Sequence, residues 1–295
     1  MTAPLRLQGF EYRQVDVDGV RINTAVAGEG PPVLLLHGYP ENHLMWRGVA
    51  PGLTDTHTVV VTDLRGYGDS DKPAPAADGA TYAKRAMAAD QVGVMRELGH
   101  DTFAVVGHDR GARVAHRLAL DHAEAVTRLA VLDIVPTRHV FGHADRAMAT
   151  AYFHWFFLAT GDGIPEHLIA GDPEFWLRAM MSRLGPDLTV DPEVLDDYVR
   201  TFAAPGGVEA TCSDYHAGAT ADLEHDDADA DAGRQVACPT LVLWGERGFV
   251  GRAYDPLDVW RQYAPDVRGH ALPCGHFLPE EQPAATLAAL RGFVG

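Results

Sequence analysis

The chain has 295 residues, 46% hydrophobic and 22% charged, a balance that provides a sizeable buried core and excludes disordered and disulfide-scaffold classes. Its formal net charge of -17, from 24 Lys+Arg against 41 Asp+Glu, argues against nucleic acid or anionic membrane as partners, because both are repelled. An anionic small molecule would face the same opposing field and needs a local positive site. The three cysteines, Cys212, Cys238 and Cys274, are odd in number and lack CxxC spacing, so neither a disulfide framework nor a zinc site is expected. The opening MTAPLRLQGF has no apolar export segment, and no later run approaches the roughly 18 apolar residues of a membrane span. The expected location is the cytoplasm.

In chain order, QVDV and VRINTAV alternate in polarity around Asp18-Gly19, which predicts a hairpin with a type I′ turn. Continuously apolar runs follow at VLLL (33–36), TVVVT (58–62), FAVV (103–106), LAVL (129–132) and TLVLW (240–244). Such runs suit strands of a parallel sheet covered on both faces. Helical spacing over 81–98 and 112–123 separates some of them, giving repeated β-α units. Between Pro136 and about Gln235 buried strands disappear, and aromatic-rich helical segments appear at 151–159, 173–184 and 192–203. The acidic run EHDDADADAG (224–233) reads as a solvated return rather than a metal loop, having no EF-hand pattern. A strand, a helix at 256–264, a short strand near VRGHAL and a last helix from about Glu281 complete the chain. The expected architecture is α/β: a mostly parallel sheet with helices on both faces, a core over 1–135 and 236–295, and a helical cap inserted at 136–235.

The stretch VVGHDRGARVAH (105–116) carries most of the chemical information. A buried strand ends in Gly-His-Asp-Arg-Gly and a helix begins, the G-x-nucleophile-x-G arrangement with Asp109 at its centre. Alone, Asp109 fits an ordinary helix N-cap equally well. Three other segments favour the nucleophile. His37-Gly38-Tyr39-Pro40 follows another buried strand, as expected for a loop donating the backbone N–H of Tyr39 to an oxyanion hole. Asp133 follows LAVL and is the candidate acid, while His276 in PCGHFLPEE (273–281) falls last, where the base belongs in the order nucleophile, acid, base. Arg110 and Arg113 lie in the first helical turn after Asp109, where the helix dipole disfavours cations. Their i, i+3 spacing can direct both to one carboxylate, a bound substrate or an acidic cap side chain.

The HGYP, DLRGYGDSDKP, VVGHDRGARVAH and GHFLPEE segments resemble the α/β-hydrolase superfamily, and the aspartate nucleophile narrows this to dehalogenases and epoxide hydrolases. HDRGAR, together with FHW (153–155) and DYHAGATADLEHD (214–226), is similar to the fluoroacetate (haloacetate) dehalogenases. Many relatives place the acid after the strand of LWG, but LWGERGF (243–249) offers no Asp, which leaves Asp133. The resemblance implies attack of Asp109 on the halogen-bearing carbon, with the substrate carboxylate on Arg110 and Arg113. It further implies halide held by His154, Trp155 and Tyr215, and ester hydrolysis by His276 with an oxyanion on the N–H groups of Tyr39 and Arg110. Neither metal nor organic cofactor is required, and a homodimer is implied. Phe153, Phe156 and Phe157 read as cap packing. Alternatives are an epoxide hydrolase using Tyr152 and Tyr215, a haloalkane dehalogenase, and a non-enzymatic sensor of small acids.

Overall fold

A computed structural model describes residues 4–295. The hairpin forms as expected from β1 (Glu11–Val17) and β2 (Val20–Ala27), with φ of 50° at Asp18 and 83° at Gly19, the positive pair a type I′ turn requires. Then come β3 (Pro32–Leu36), β4 (Thr58–Thr62), β5 (Phe103–His108), β6 (Val126–Leu132), β7 (Thr240–Gly245) and β8 (Val267–Leu272). The eight strands form one sheet in the order β1-β2-β4-β3-β5-β6-β7-β8, antiparallel at β1/β2 and β2/β4 and parallel from β4 onward. Every residue of β5 is buried, which is why its sequence is apolar without alternation.

Helices cover the sheet. Within the core these are α1 (Lys84–Glu97) and α2 (Asp109–Asp121), the second packed on β5 and β6. Eight helices fill the chain between β6 and β7: α3 (Thr137–Gly142), α4 (Arg146–Ala151), α5 (Phe153–Leu158), α6 (Ile164–Ala170), α7 (Pro173–Leu184), α8 (Pro192–Phe202), α9 (Gly207–Ala219) and α10 (Ala221–Asp231). After β7 follow α11 (Phe249–Ala253), α12 (Pro256–Trp260), α13 (Leu278–Glu281) and α14 (Pro283–Val294). Two cap helices start on the same Asp-Pro-Glu signal: Asp172 caps α7 by accepting from Phe175 N at 3.0 Å, and Asp191 caps α8 from Glu193 N at 3.0 Å. Each aspartate satisfies an orphan donor and the proline sits where no N–H is needed. Among the described residues no helix is long and apolar enough to cross a membrane.

Three expectations need correction. The acidic run is mostly exposed as expected, but it is helical through Asp231, and with Asp222 it presents one paired face: Asp222, Asp226 and Asp229, spaced i, i+4, i+7, lie along one side of α10. Asp226 lies 2.5 Å from Arg117 of α2, which also reaches Asp229, and Asp222 lies 3.4 Å from Lys84 of α1. Charge pairing with two core helices buries that face. Secondly, 151–159 is not one helix, since Tyr152, at φ -109° and ψ 40°, separates α4 from α5. Thirdly, Phe156 is 40% exposed and meets the cap only edge-on, its ring centroid 6.2 Å from that of Phe141, whereas Phe153 and Phe157 flank Trp176 with ring centroids 6.1 and 5.4 Å away.

Candidate active site

The predicted chemical residues converge at the C-terminal ends of the parallel strands, where loops leave the sheet and open α/β folds place their ligands. Tyr39 follows β3, Asp109 follows β5, Asp133 follows β6 and His276 follows β8. Asp109 takes φ 45° at the strand-to-helix turn, a left-handed conformation that non-glycine residues occupy at a cost. The turn closes because its glycines allow backbone to approach backbone. A Cβ on Gly107 would lie 2.4 Å from Gly111 O, and one on Gly111 would lie 2.3 Å from His37 O.

The carboxylate of Asp109 is 6% exposed and accepts the backbone N–H of Tyr39 on Oδ2 at 3.1 Å. One oxygen is thus held by an amide dipole while the other is left for chemistry. The approach depends on Gly38, whose Cβ would meet His108 Nδ1 at 2.7 Å and the Asp109 Cβ at 2.8 Å. The backbone N–H of Arg110 lies in the first turn of α2, where it has no intrahelical acceptor. Burial pushes the Asp109 carboxyl up, but the positive charges of His276 and Arg113, followed by His108 and Arg110, outweigh burial and hold it below its ordinary range.

His276 and Asp133 meet as expected, Nδ1 lying 2.6 Å from Oδ2. The other oxygen of Asp133 accepts from Gly245 N at 2.9 Å, and Asp133 takes φ 53°. Gly245 is obligatory here, since a Cβ would lie 1.7 Å from Gly275 O. Burial depresses the imidazole, but the hydrogen bond and charge of Asp133, with the charge of Asp109, lift His276 to about 9.

The two arginines differ. Arg110 forms an ion pair with a cap carboxylate, Nε to Asp214 Oδ2 at 2.8 Å and Nη2 to Oδ1 at 2.9 Å, so the acidic cap partner left open by the sequence is realised for this residue. Arg113 has no carboxylate within 4.0 Å among the described residues. Its Nη1 donates to Val135 O at 3.1 Å and Thr137 Oγ1 at 3.0 Å, its Nε has no acceptor, and its guanidinium lies 4.5 Å from the Trp155 ring centroid. Burial lowers its pKa from the ordinary value. His154, Trp155 and Tyr215 come together beside Tyr39: Tyr215 is 5.7 Å from His154, 6.2 Å from Trp155 and 5.3 Å from Tyr39, ring to ring. Burial drives the His154 imidazole to about 3, so it is neutral and offers a single N–H. Burial and the charge of Asp109 raise the Tyr215 phenol well above its ordinary range, keeping it a donor.

Two buried acids escaped the sequence reading. Asp214 was seen only as part of a resembling segment. Glu41, directly after HGYP, is 2% exposed with both carboxyl oxygens unpaired, 3.3 Å from His108 Nδ1, and burial pushes it up to about 7. A carboxylate immediately after a buried loop motif was the available signal. Its neighbour Glu280 is likewise driven upward by burial and by Glu41 itself.

This fold and this aspartate-centred site define a class, and the chain belongs to the α/β-hydrolase fold family, whose pattern matches residues 31–283. It is 45% identical to a fluoroacetate dehalogenase of a Burkholderia sp, over 97% of this chain and 94% of that protein. It is 35% identical to the soluble epoxide hydrolase of Corynebacterium sp. (strain C12), over 92% of this chain and 93% of that one. A solved structure from Nostoc sp PCC 7120, named as an α/β hydrolase, superposes with a TM-score of 0.95 at 52% identity, covering 98% of this chain and 99% of that chain. The protein is a hydrolase with a dehalogenase relative.

Proposed function

We propose that this hydrolase removes halide from small 2-haloacids, fluoroacetate and chloroacetate among them, through an ester on Asp109. The observation that carries this reading is Arg113, a buried guanidinium beside the nucleophile with no anionic partner of its own. Burying an unpaired cation costs several kcal/mol, and a bound carboxylate relieves that cost. A pocket for neutral alkanes gains nothing from it.

With the acid end on Arg113 and the free nitrogen of Arg110, the halogen-bearing carbon faces Asp109. Its free carboxylate oxygen displaces halide in line, forming an ester as the carbon–halogen bond breaks. Halide leaves toward the N–H groups of His154 and Trp155 and the O–H of Tyr215, donors that replace part of its hydration. Water then attacks the ester carbonyl while His276, held by Asp133, takes its proton. The developing oxyanion meets the amides of Tyr39, already on Oδ2, and Arg110. Glycolate leaves when the substrate is fluoroacetate.

The test is incubation with fluoroacetate and chloroacetate, following free halide. Single turnover in labelled water should place label on Asp109 before product, and Asp109→Asn should form no ester; label appearing first in product contradicts the covalent route. Arg113→Leu should raise KM for chloroacetate by about ten- to a hundredfold, the value of a charge-assisted contact. Unchanged turnover in that variant would remove the carboxylate clamp. A second reading, epoxide hydrolysis, is favoured by one observation: Tyr152 is buried with its ring centroid 5.6 Å from that of His154, which lies 5.7 Å from Tyr215, so two phenols flank the same imidazole. Diol release from styrene oxide without halide release from either acid selects it.

A further inference from the structure

Arg110 is the residue immediately after the nucleophile, yet its guanidinium makes no ion pair with Asp109, and Asp109 forms none with any described residue. A carboxylate 6% exposed next to an unrestrained arginine would ordinarily be claimed by it, since bidentate pairing is the strongest contact either group can make at low dielectric. Something holds Arg110 away.

That restraint is visible. Asp214 of α9 engages Nε and Nη2 of Arg110 with both carboxylate oxygens at 2.8 and 2.9 Å, and its backbone carbonyl takes Nη2 again at 2.7 Å. The Tyr215 ring covers one face, its centroid 4.2 Å from Cζ. Gly218, one turn further along α9, lies so close that a Cβ there would be 3.2 Å from Nη2 and 3.5 Å from Nη1. Nη1 is left as the guanidinium nitrogen without a protein acceptor.

Asp214 is itself held from the core. It is fully buried, accepts from Tyr67 Oη at 2.6 Å in the loop after β4, and pairs with Lys84 Nζ at the start of α1. Lys84 also reaches Asp222 of α10 at 3.4 Å. Two cations and two carboxylates therefore balance, and Arg110 brings no uncompensated charge to the site.

We propose that Asp214 is a positioning and specificity residue: it keeps Arg110 off the nucleophile, presents Nη1 to the substrate, and leaves Arg113 as the arginine with no carboxylate in contact, open to that of the substrate. This deepens the haloacid reading and rests on it. Asp214 belongs to the cap and Arg110 to the core, so the arrangement also makes the nucleophile's freedom depend on the cap being seated.

The test is a double-mutant cycle read as the ester-formation rate at saturating chloroacetate in single turnover. Asp214→Asn releases Arg110 onto Asp109 and should slow that rate by about tenfold or more, not merely raise KM. Arg110→Gln should mainly raise KM. The double variant D214N/R110Q should form ester as fast as R110Q alone, because Asp214 acts only through Arg110. If the double variant is instead slower than R110Q by the same factor that D214N shows alone, or if D214N leaves the saturated rate unchanged, the proposal is overturned. Tyr67→Phe keeps every charge and removes one donor, so it should show the same split in milder form even where D214N folds poorly. A wild-type protein that frees no halide from chloroacetate sinks the haloacid reading itself; an active wild type with an indifferent D214N sinks only this inference.

Discussion

At His276 the geometry makes a statement about pH. Burial pulls the imidazole down, Asp133 and Asp109 pull it up, and the result is about 9 against an ordinary 6.5. Because the folded value is the higher, the stability contributed by the His276–Asp133 pair is complete below the unfolded value and fades as pH rises toward the folded one. In the proposed mechanism catalysis runs the other way, since ester hydrolysis needs the neutral ring. Alkylation of Asp109 removes one of the negative charges that raise His276, so its pKa must fall when the ester forms. The ester-decay rate should therefore rise with pH through a midpoint below that of the free enzyme. Ester formation requires only ionised Asp109, whose carboxyl sits below its ordinary range, and should stay flat between about pH 5 and 8. Rapid-quench mass measurement of the ester across pH separates the two limbs; limbs that titrate together would contradict the assignment of His276. His276→Asn should leave the ester standing, with decay slowed by roughly a hundredfold or more.

The loop after β3 and the elbow between β5 and α2 work as one device, because each approaches the other only where side chains are missing. Gly38 is the tightest example on the loop side. Its Cβ would strike the Asp109 Cβ at 2.8 Å, and neither the nucleophile nor the loop has room to withdraw without breaking the 3.1 Å contact from Tyr39 N to Asp109 Oδ2. Gly38→Ala should therefore destabilise by about 1–3 kcal/mol through overpacking and, under the proposed mechanism, lose the amide that meets the oxyanion, slowing ester decay by roughly a hundredfold. Thermal melts and single-turnover rates check the two halves separately. A variant with normal melting and normal ester decay would show that the loop can relax.

Cap and core are joined by buried charges rather than by apolar contact alone. Arg117 on α2, 3% exposed, faces Asp226 and Asp229 on α10, and Arg234 reaches Asp229 at 2.7 Å. Arg117→Leu takes its cation from Asp226 and leaves Asp229 only Arg234, which should cost roughly 3–5 kcal/mol and lower Tm by about 5–8 °C in a chain of this size. Scanning calorimetry measures it directly. A shift within a degree of wild type would mean that α10 docks by packing alone.

How much of this was legible follows from how far apart the cooperating residues stand. The elbow around Asp109 is written in five consecutive residues, because a positive φ, a tight turn and a helix start are local demands that glycines and an aspartate satisfy on the spot. The buried strands, and the order of Asp109, Asp133 and His276 along the chain, were readable for the same reason. The helical face of α10 was present in its spacing but hidden by composition, since an acidic stretch looks solvated until its cationic partners are known. What no local pattern contains is the pairing of Arg110 with Asp214 across 104 residues, or the burial of Glu41 beside His108 and Glu280. The sequence by itself determined the strand-to-helix turn at Asp109 and the chain order of the candidate groups. Which arginine is already neutralised and which remains charged was decided only when the cap folded over the core, because ion pairing in a low-dielectric interior depends on distances that chain order does not encode.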